Sequence, residues 1–268
     1  MNALELLSVL REMDVEIRVQ AGRLRANAPK GVLTSELQTK LREHKSEIIS
    51  LLEQNSPTAQ AGYPPLVKAS REVALPVSSA QQRLWFLAQM TPDNPVYNVP
   101  MAFRLSGSLN PIALERSLTE IVCRHEILRT TFPLRQMQPI QVISQSAQVA
   151  LPVVDLSALP EPRKGITAEQ LMSDEATQPF KLAEDPLVRG KLVRLAETEH
   201  ILLVTTHHIV FDGWSFEIVC GELSELYEAF DAGRPSSLSD LPVQYVDFAV
   251  WQQDWLQYAR LEAHLTSW

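Results

Sequence analysis

The period of the apolar positions changes twice in the first fifty residues. Leu4, Leu7, Leu10 and Met13 recur at helical spacing. Val15, Ile17 and Val19 then alternate with Glu16 and Arg18, which is the period of a strand. Gln20-Ala21-Gly22 supplies a turn, with Gly22 free to take positive φ, and Arg23-Leu24-Arg25-Ala26 alternates again. This order predicts a β-hairpin. Thr34 is placed to cap a following helix whose apolar face is Leu37, Leu41, Ile48, Leu51 and Leu52. Residues 54–72, QNSPTAQAGYPPLVKASRE, carry no apolar period and read as a linker.

A larger region, 73–268, follows. Asn110-Pro111 opens a helix bearing Leu114, Leu118, Ile121 and Val122 and ending near His125. Residues 139–154 are strand-like and 168–176 helical. Residues 192–195 and 201–206 pair as strands around the polar turn Glu197-Thr198-Glu199. Residues 214–232 form a helix stopped by Gly233 and Pro235, and 246–265 form the last one. Helices mixed with strands, with no internal repeat, predict a layered α+β domain.

Composition narrows the partners. The chain has 268 residues, 45% hydrophobic and 21% charged, with a net charge of -8. An acidic balance argues against nucleic acid, whose phosphates require a basic footprint. No apolar run approaches the roughly 20 residues that span a bilayer, so no membrane partner is expected. MNALELLSVLREMD lacks the basic start and small-residue cleavage site of a signal peptide. Cys123 and Cys220 form neither a disulfide framework nor a zinc spacing and are expected as buried thiols in a reducing cytoplasm.

The candidate chemistry lies in His207-His208-Ile209-Val210-Phe211-Asp212-Gly213, at the end of a buried strand and the start of a helix. A histidine there can act as a general base or orient a nucleophile. The same residues also allow a structural polar knot, since a buried Asp must pair or accept several hydrogen bonds. A metal site is the third reading, opposed by the opposite directions of adjacent strand side chains.

Four stretches carry a resemblance. His207 to Gly213 resembles the HHxxxDG signature of condensation domains in nonribosomal peptide synthetases, within the chloramphenicol acetyltransferase-like superfamily. Val77-Ser78-Ser79-Ala80-Gln81-Gln82-Arg83-Leu84-Trp85-Phe86-Leu87 resembles their SxAQxRLWxL motif. Arg124 to Phe132, RHEILRTTF, resembles RHExLRTxF, and Tyr245 to Gln252 resembles YxDFAxW. All four stand in the family's order. Taken alone, each of the flanking motifs also reads as core packing, with Leu84, Trp85 and Leu87 buried on a helix. The resemblance implies one chloramphenicol acetyltransferase-like α/β sandwich lobe and an amide-forming acyltransferase. His208 would position the acceptor amine or take its proton as it attacks a thioester. His207 would support it from the other side of the strand. Asp212 would be structural, pairing with an arginine of the second motif, Arg124 first and Arg129 second. Gly213 would allow a tight turn beside the substrate tunnel. Phe211 stands where many members that join two L-amino acids carry Ser, which leaves the donor class open. Family members have two lobes around a tunnel. This sequence matches the N-terminal one, so it is expected to be an incomplete domain, inert alone.

Residues 1–53 resemble the TubC-type N-terminal docking domain, a small helix and β-hairpin unit. Such a unit accepts the C-terminal tail of an upstream subunit by strand addition, and units of this type can form homodimers. Arg18, Arg23, Arg25 and Lys30 on or beside the hairpin suggest an acidic tail; solubilising an edge strand is the plainer reading of these charges. The resemblance implies no cofactor bound directly. Donor and acceptor would arrive on the phosphopantetheine arms of upstream and downstream carrier proteins. Two other readings stay open: a stand-alone O-acyltransferase of the same superfamily, and a non-catalytic docking module.

Overall fold

The computed structural model describes residues 65–146 and 148–257, together with Leu6, 15–20, 23–27, Leu37, Lys40, Leu41, His44, Lys45, Glu47 and Ile48. The chain divides into two units, Met1–Pro65 and Leu66–Trp268.

In the first unit the alternating residues form the predicted hairpin. β1 (Glu16–Gln20) and β2 (Arg23–Asn27) pair antiparallel, while the expected turn at Ala21-Gly22 lies outside the described residues. Arg18 lies opposite Arg25 and Gln20 opposite Arg23. Because directly opposed positions share a face, the three arginines occupy register positions of one face, and Ile17, Val19, Leu24 and Ala26 those of the other. Leu6, Val15 and Ile48 are buried. Leu4, Leu7, Leu10, Met13, Lys30, Thr34, Leu51 and Leu52 lie outside the described residues.

The second unit is built on a four-stranded sheet of order β4-β10-β9-β8. The predicted strand pair is longer than its apolar core: β9 is Val188–Ala196 and β10 is Glu199–His207, antiparallel with an irregularity at Glu199/His200. β4 (Asn98–Ser106) pairs antiparallel with the other edge of β10, and β8 (Val153–Asp155) runs parallel to β9. The strand-like stretch 139–154 is therefore two strands in two sheets. Its first part is β7 (Gln138–Ile143), which pairs with β3 (Leu75–Pro76), β5 (Thr130–Thr131) and β6 (Leu134–Arg135). Ser144 separates the two, its N–H donating to the Arg129 carbonyl and its hydroxyl to the Ser146 carbonyl.

Helices cover both faces of the larger sheet. α1 (Ser79–Met90) begins with a capping box between Ser78 and Gln81. α2 (Pro111–Arg124) is capped by Asn110, whose Oδ1 accepts the Ala113 N–H at 3.1 Å. α3 is Arg163–Thr177, α4 is Gly213–Asp231 and α5 is described over Tyr245–Gln257. Strand alternation sorts β10 between two cores. Leu202 and Val204 pack with Leu118, Ile121 and Val122 of α2 and Leu226 of α4. Leu203 packs with Ala168 of α3, Leu156 and Val193. The result is an α+β sandwich.

Two expectations change. Cys123 is exposed and Cys220 only half-buried, so neither is a core thiol. The apolar residues of α1 are less buried than expected. Leu84, Trp85 and Leu87 are half-buried, and the Trp85 indole N–H donates to the Phe132 carbonyl at 3.0 Å. Within the second unit, residues 69 and 71 bond to groups far along the chain. Arg71 reaches both the fully buried Asp247 side chain (2.6 Å) and Glu126 (2.7 Å), while the Ala69 N–H donates to Asp247 at 2.9 Å.

Candidate active site

β10 ends at His207, and hydrogen bonds from both sides fix that end. The His207 N–H donates to the Leu187 carbonyl at 3.2 Å and the His208 N–H to the Tyr97 carbonyl at 2.8 Å. The chain then turns, with the Val210 N–H donating to the His207 carbonyl at 3.0 Å. Ile209, Val210 and Phe211 send their side chains into the main core. Three buried apolar residues thus anchor a turn whose polar members are left at its rim.

The two imidazoles occupy opposite environments. His207 is 4% exposed, with the Tyr97 and Phe180 rings each 6.2 Å away. Its Nδ1 accepts the Ile209 N–H at 3.1 Å, which puts the ring proton on Nε2. Burial, reinforced by the neighbouring His208, pushes its pKa down to about 4. His208 is exposed. Its Nδ1 lies 2.7 Å from the Phe211 carbonyl, which can only accept, so Nδ1 carries the proton and Nε2 holds a free lone pair. One ring is a neutral internal acceptor, and the other presents a base to the outside.

Phe211 acts through its backbone. Its side chain is 4% exposed within the core, while its carbonyl orients His208. A residue there contributes packing with its side chain and direction with its main chain.

Asp212 does not pair with an arginine. It is exposed and caps α4: its Oδ1 accepts the Ser215 N–H at 2.9 Å and the Ser215 hydroxyl at 2.7 Å. The Ser215 side chain, more than any other group, holds its carboxyl below the usual range. Arg124 instead donates to Glu222 Oε1 at 2.9 Å and to the Ser239 carbonyl at 2.5 Å. Arg129 donates to the Cys123 and Ser144 carbonyls. The reason is local. A donor three residues away on the same helix end reaches Asp212 with little added ordering, whereas Arg124 meets α4 at Glu222. Gly213 is the first residue of α4; its φ lies outside the left-handed region and a Cβ there would meet nothing within 4 Å. The backbone does not require glycine at this position.

The three flanking motifs brace one another. The Ser78 hydroxyl and Tyr245 OH lie 3.0 Å apart, and the Ser79 N–H donates to Gln252 at 2.8 Å. Gln244 accepts the Glu126 N–H at 3.0 Å and donates to the Arg124 carbonyl at 2.9 Å. Glu222 joins Arg124 to His125, whose Nε2 is 2.7 Å from Oε2. Burial by itself would raise the pKa of Asp247, but hydrogen bonds from Arg71, Ala69 and Gln244 hold it below its usual value. Arg71, Glu222 and Gln244 escaped the sequence reading because nothing in their immediate neighbours signals the distant groups they hold.

Among the described residues, no group of three or more His, Cys, Asp and Glu side chains is arranged to hold a metal ion, and no helix is long and apolar enough to cross a membrane.

The family model for the condensation domain matches residues 71–268, and that for the TubC N-terminal docking domain matches residues 4–54. The chain is 44% identical over 222 residues to one of the linear gramicidin synthase proteins of Brevibacillus parabrevis, covering 83% of this chain and 3% of that protein. It is 45% identical over 194 residues to a chondramide synthase of Chondromyces crocatus, covering 72% of this chain and 5% of that protein. Among solved structures, the X-domain from teicoplanin biosynthesis matches with a TM-score of 0.68 at 32% identity, over 76% of this chain and 44% of that one. The cyclization-docking bidomain of a Sorangium cellulosum peptide synthetase has a TM-score of 0.69 at 23% identity, over 98% of this chain and 50% of that one, a likeness of fold. The chain thus spans a few percent of these curated relatives and at most half of these solved chains.

Proposed function

The chain belongs to the condensation-domain family of nonribosomal peptide synthetases, with a TubC-type docking domain ahead of that domain, and on that premise we propose that His208 serves the attack of an amine on a carrier-bound thioester. The carrying observation is the His208 ring: exposed, with Nδ1 committed to the Phe211 carbonyl and Nε2 left as a base. The amine nitrogen bonds to the thioester carbonyl carbon, the C–S bond breaks, and the proton lost by nitrogen passes through Nε2 to the departing sulfur. General-base help contributes about 10²–10⁴-fold. Holding donor and acceptor together contributes about 7–11 kcal/mol, so positioning is the larger part. The donor is an acyl or peptidyl group and the acceptor an aminoacyl group, each on the phosphopantetheine arm of a carrier protein. This lobe supplies one wall of the site.

The test is product identity. A condensation domain containing this lobe is offered an acyl thioester with an amine acceptor and, separately, an alcohol acceptor. The expected product is the amide, with ester formation at least tenfold slower. Preferential ester formation would identify an O-acyltransferase instead. Formation of neither, by a folded domain, would favour a docking module without catalysis.

For residues 1–53, we infer capture of an acidic C-terminal tail from an upstream subunit by strand addition. The support is the hairpin register, which brings Arg18, Arg23 and Arg25 to one face of a chain of net charge -8. Reversing Arg23 and Arg25 to Glu is expected to weaken binding of an acidic tail peptide about tenfold at low salt, and less as salt screens the charges. Titration calorimetry at two ionic strengths checks this; an unchanged affinity at low salt removes charge from the recognition.

A further inference from the structure

We propose that Asn98 and Arg189 are positioning residues that grip the end of α3 and thereby hold the ring of His207, and through it the turn that presents His208. The inference deepens the reading of His208 above and rests on it for its functional meaning.

The last carbonyls of a helix have no partners within the helix. At the end of α3 the sheet provides them. Asn98 begins β4 and is the register partner of His207. Its Nδ2 donates to the Ala176 and Gln178 carbonyls, both at 2.8 Å. From the opposite side of β10, Arg189 of β9 donates to the Gln178 carbonyl at 2.8 Å and the Glu175 carbonyl at 3.3 Å. The same guanidinium donates to the buried Glu175 carboxylate at 2.8 Å, and Lys191 completes that carboxylate at 2.8 Å. Asn98, opposite His207, and Arg189, opposite Thr205 on the other side of β10, therefore fix one short segment, Glu175 to Pro179.

That segment delivers Phe180. The Arg189 guanidinium lies over the Phe180 ring, 3.7 Å from its centroid, and the ring meets His207 edge-on at 89°. With Tyr97 also against it, His207 is held so that Nδ1 accepts the Ile209 N–H. That bond closes the turn on which the His208–Phe211 contact depends. Coupling of this kind requires contiguous packed groups, and the contacts given above run from Asn98 and Arg189 through residues 175–180 to His207 and Ile209. Arg suits this place because one planar fork reaches a carboxylate, three carbonyls and a ring face together, which an ammonium cannot do.

The experiment follows the Ile209 amide by hydrogen exchange in this chain, together with the nitrogen shifts of the His208 ring. Phe180→Leu removes the ring edge and leaves the polar grip; Arg189→Lys keeps the charge and loses the fork. Each is expected to accelerate Ile209 exchange about tenfold, in line with the worth of an aromatic pair, and to mix the two His208 tautomers. Exchange at Ile121 and Val122 of α2 is expected to stay unchanged. Equal acceleration at Ile209 and in α2 would mean general destabilisation and would overturn the proposal, as would an unchanged Ile209. Neither readout needs turnover. If Ile209 responds while a His208→Ala domain keeps its activity, the grip stands and the catalytic reading falls.

Discussion

His208→Ala is expected to lower amide formation by about 10²–10⁴-fold in a condensation domain that contains this lobe, with the fold intact. The ring is exposed, so its removal opens no cavity in the core. What is lost is the Nε2 base and a hydrogen-bonding partner for the attacking amine. The hydrogen bond from Nδ1 to the Phe211 carbonyl fixes both the tautomer and the direction of that base. Single-turnover measurement with carrier-bound donor and acceptor separates this step from loading and release. A loss smaller than tenfold would take His208 out of the chemistry.

The second large effect is acid sensitivity through His207. Its folded-state pKa is about 4, below the ordinary value of 6.5. Between these values the unfolded chain binds a proton that the folded chain refuses. Stability therefore falls as pH drops from about 6.5 to about 4, by roughly 3 kcal/mol. Below that window this group contributes no further loss. His200 acts in the same direction: burial first, and Arg194 second, depress its pKa. Asp212, Asp247 and Glu175 have lowered pKa values, so their contributions disappear at still lower pH. His207→Asn isolates the histidine, since the Asn side-chain oxygen can accept the Ile209 N–H without titrating. Urea unfolding across this pH range is expected to show a steep dependence in the parent chain and a flatter one in the variant. Equal slopes would assign the acid sensitivity elsewhere.

Legibility of the fold followed the length of the pattern. The strand pair β9–β10, the hairpin β1–β2 and α2 with its Asn110 cap all rest on period and capping residues within a few positions of one another. Stretch 139–154 misled because apolar residues on both sides of Ser144 share a period but join different sheets. Asp212 is the reverse case. Ser215 stands at capping-box spacing, a local signal in the sequence, and that local donor prevails over an arginine from another helix.

By itself, the sequence determined the hairpin β1–β2, the strand pair β9–β10 and the capped helix α2, which family the motifs belong to, and that two adjacent histidines close a buried strand. Those properties depend on spacing within one or two turns of chain. Only the tertiary structure decided which histidine is buried with Nδ1 accepting a backbone N–H and which is exposed, and which partner each charge takes. Arg71 meets Asp247 across 176 residues and Arg124 meets Glu222 across 98. Such pairs form where packed layers bring distant positions together, and local period carries no record of them.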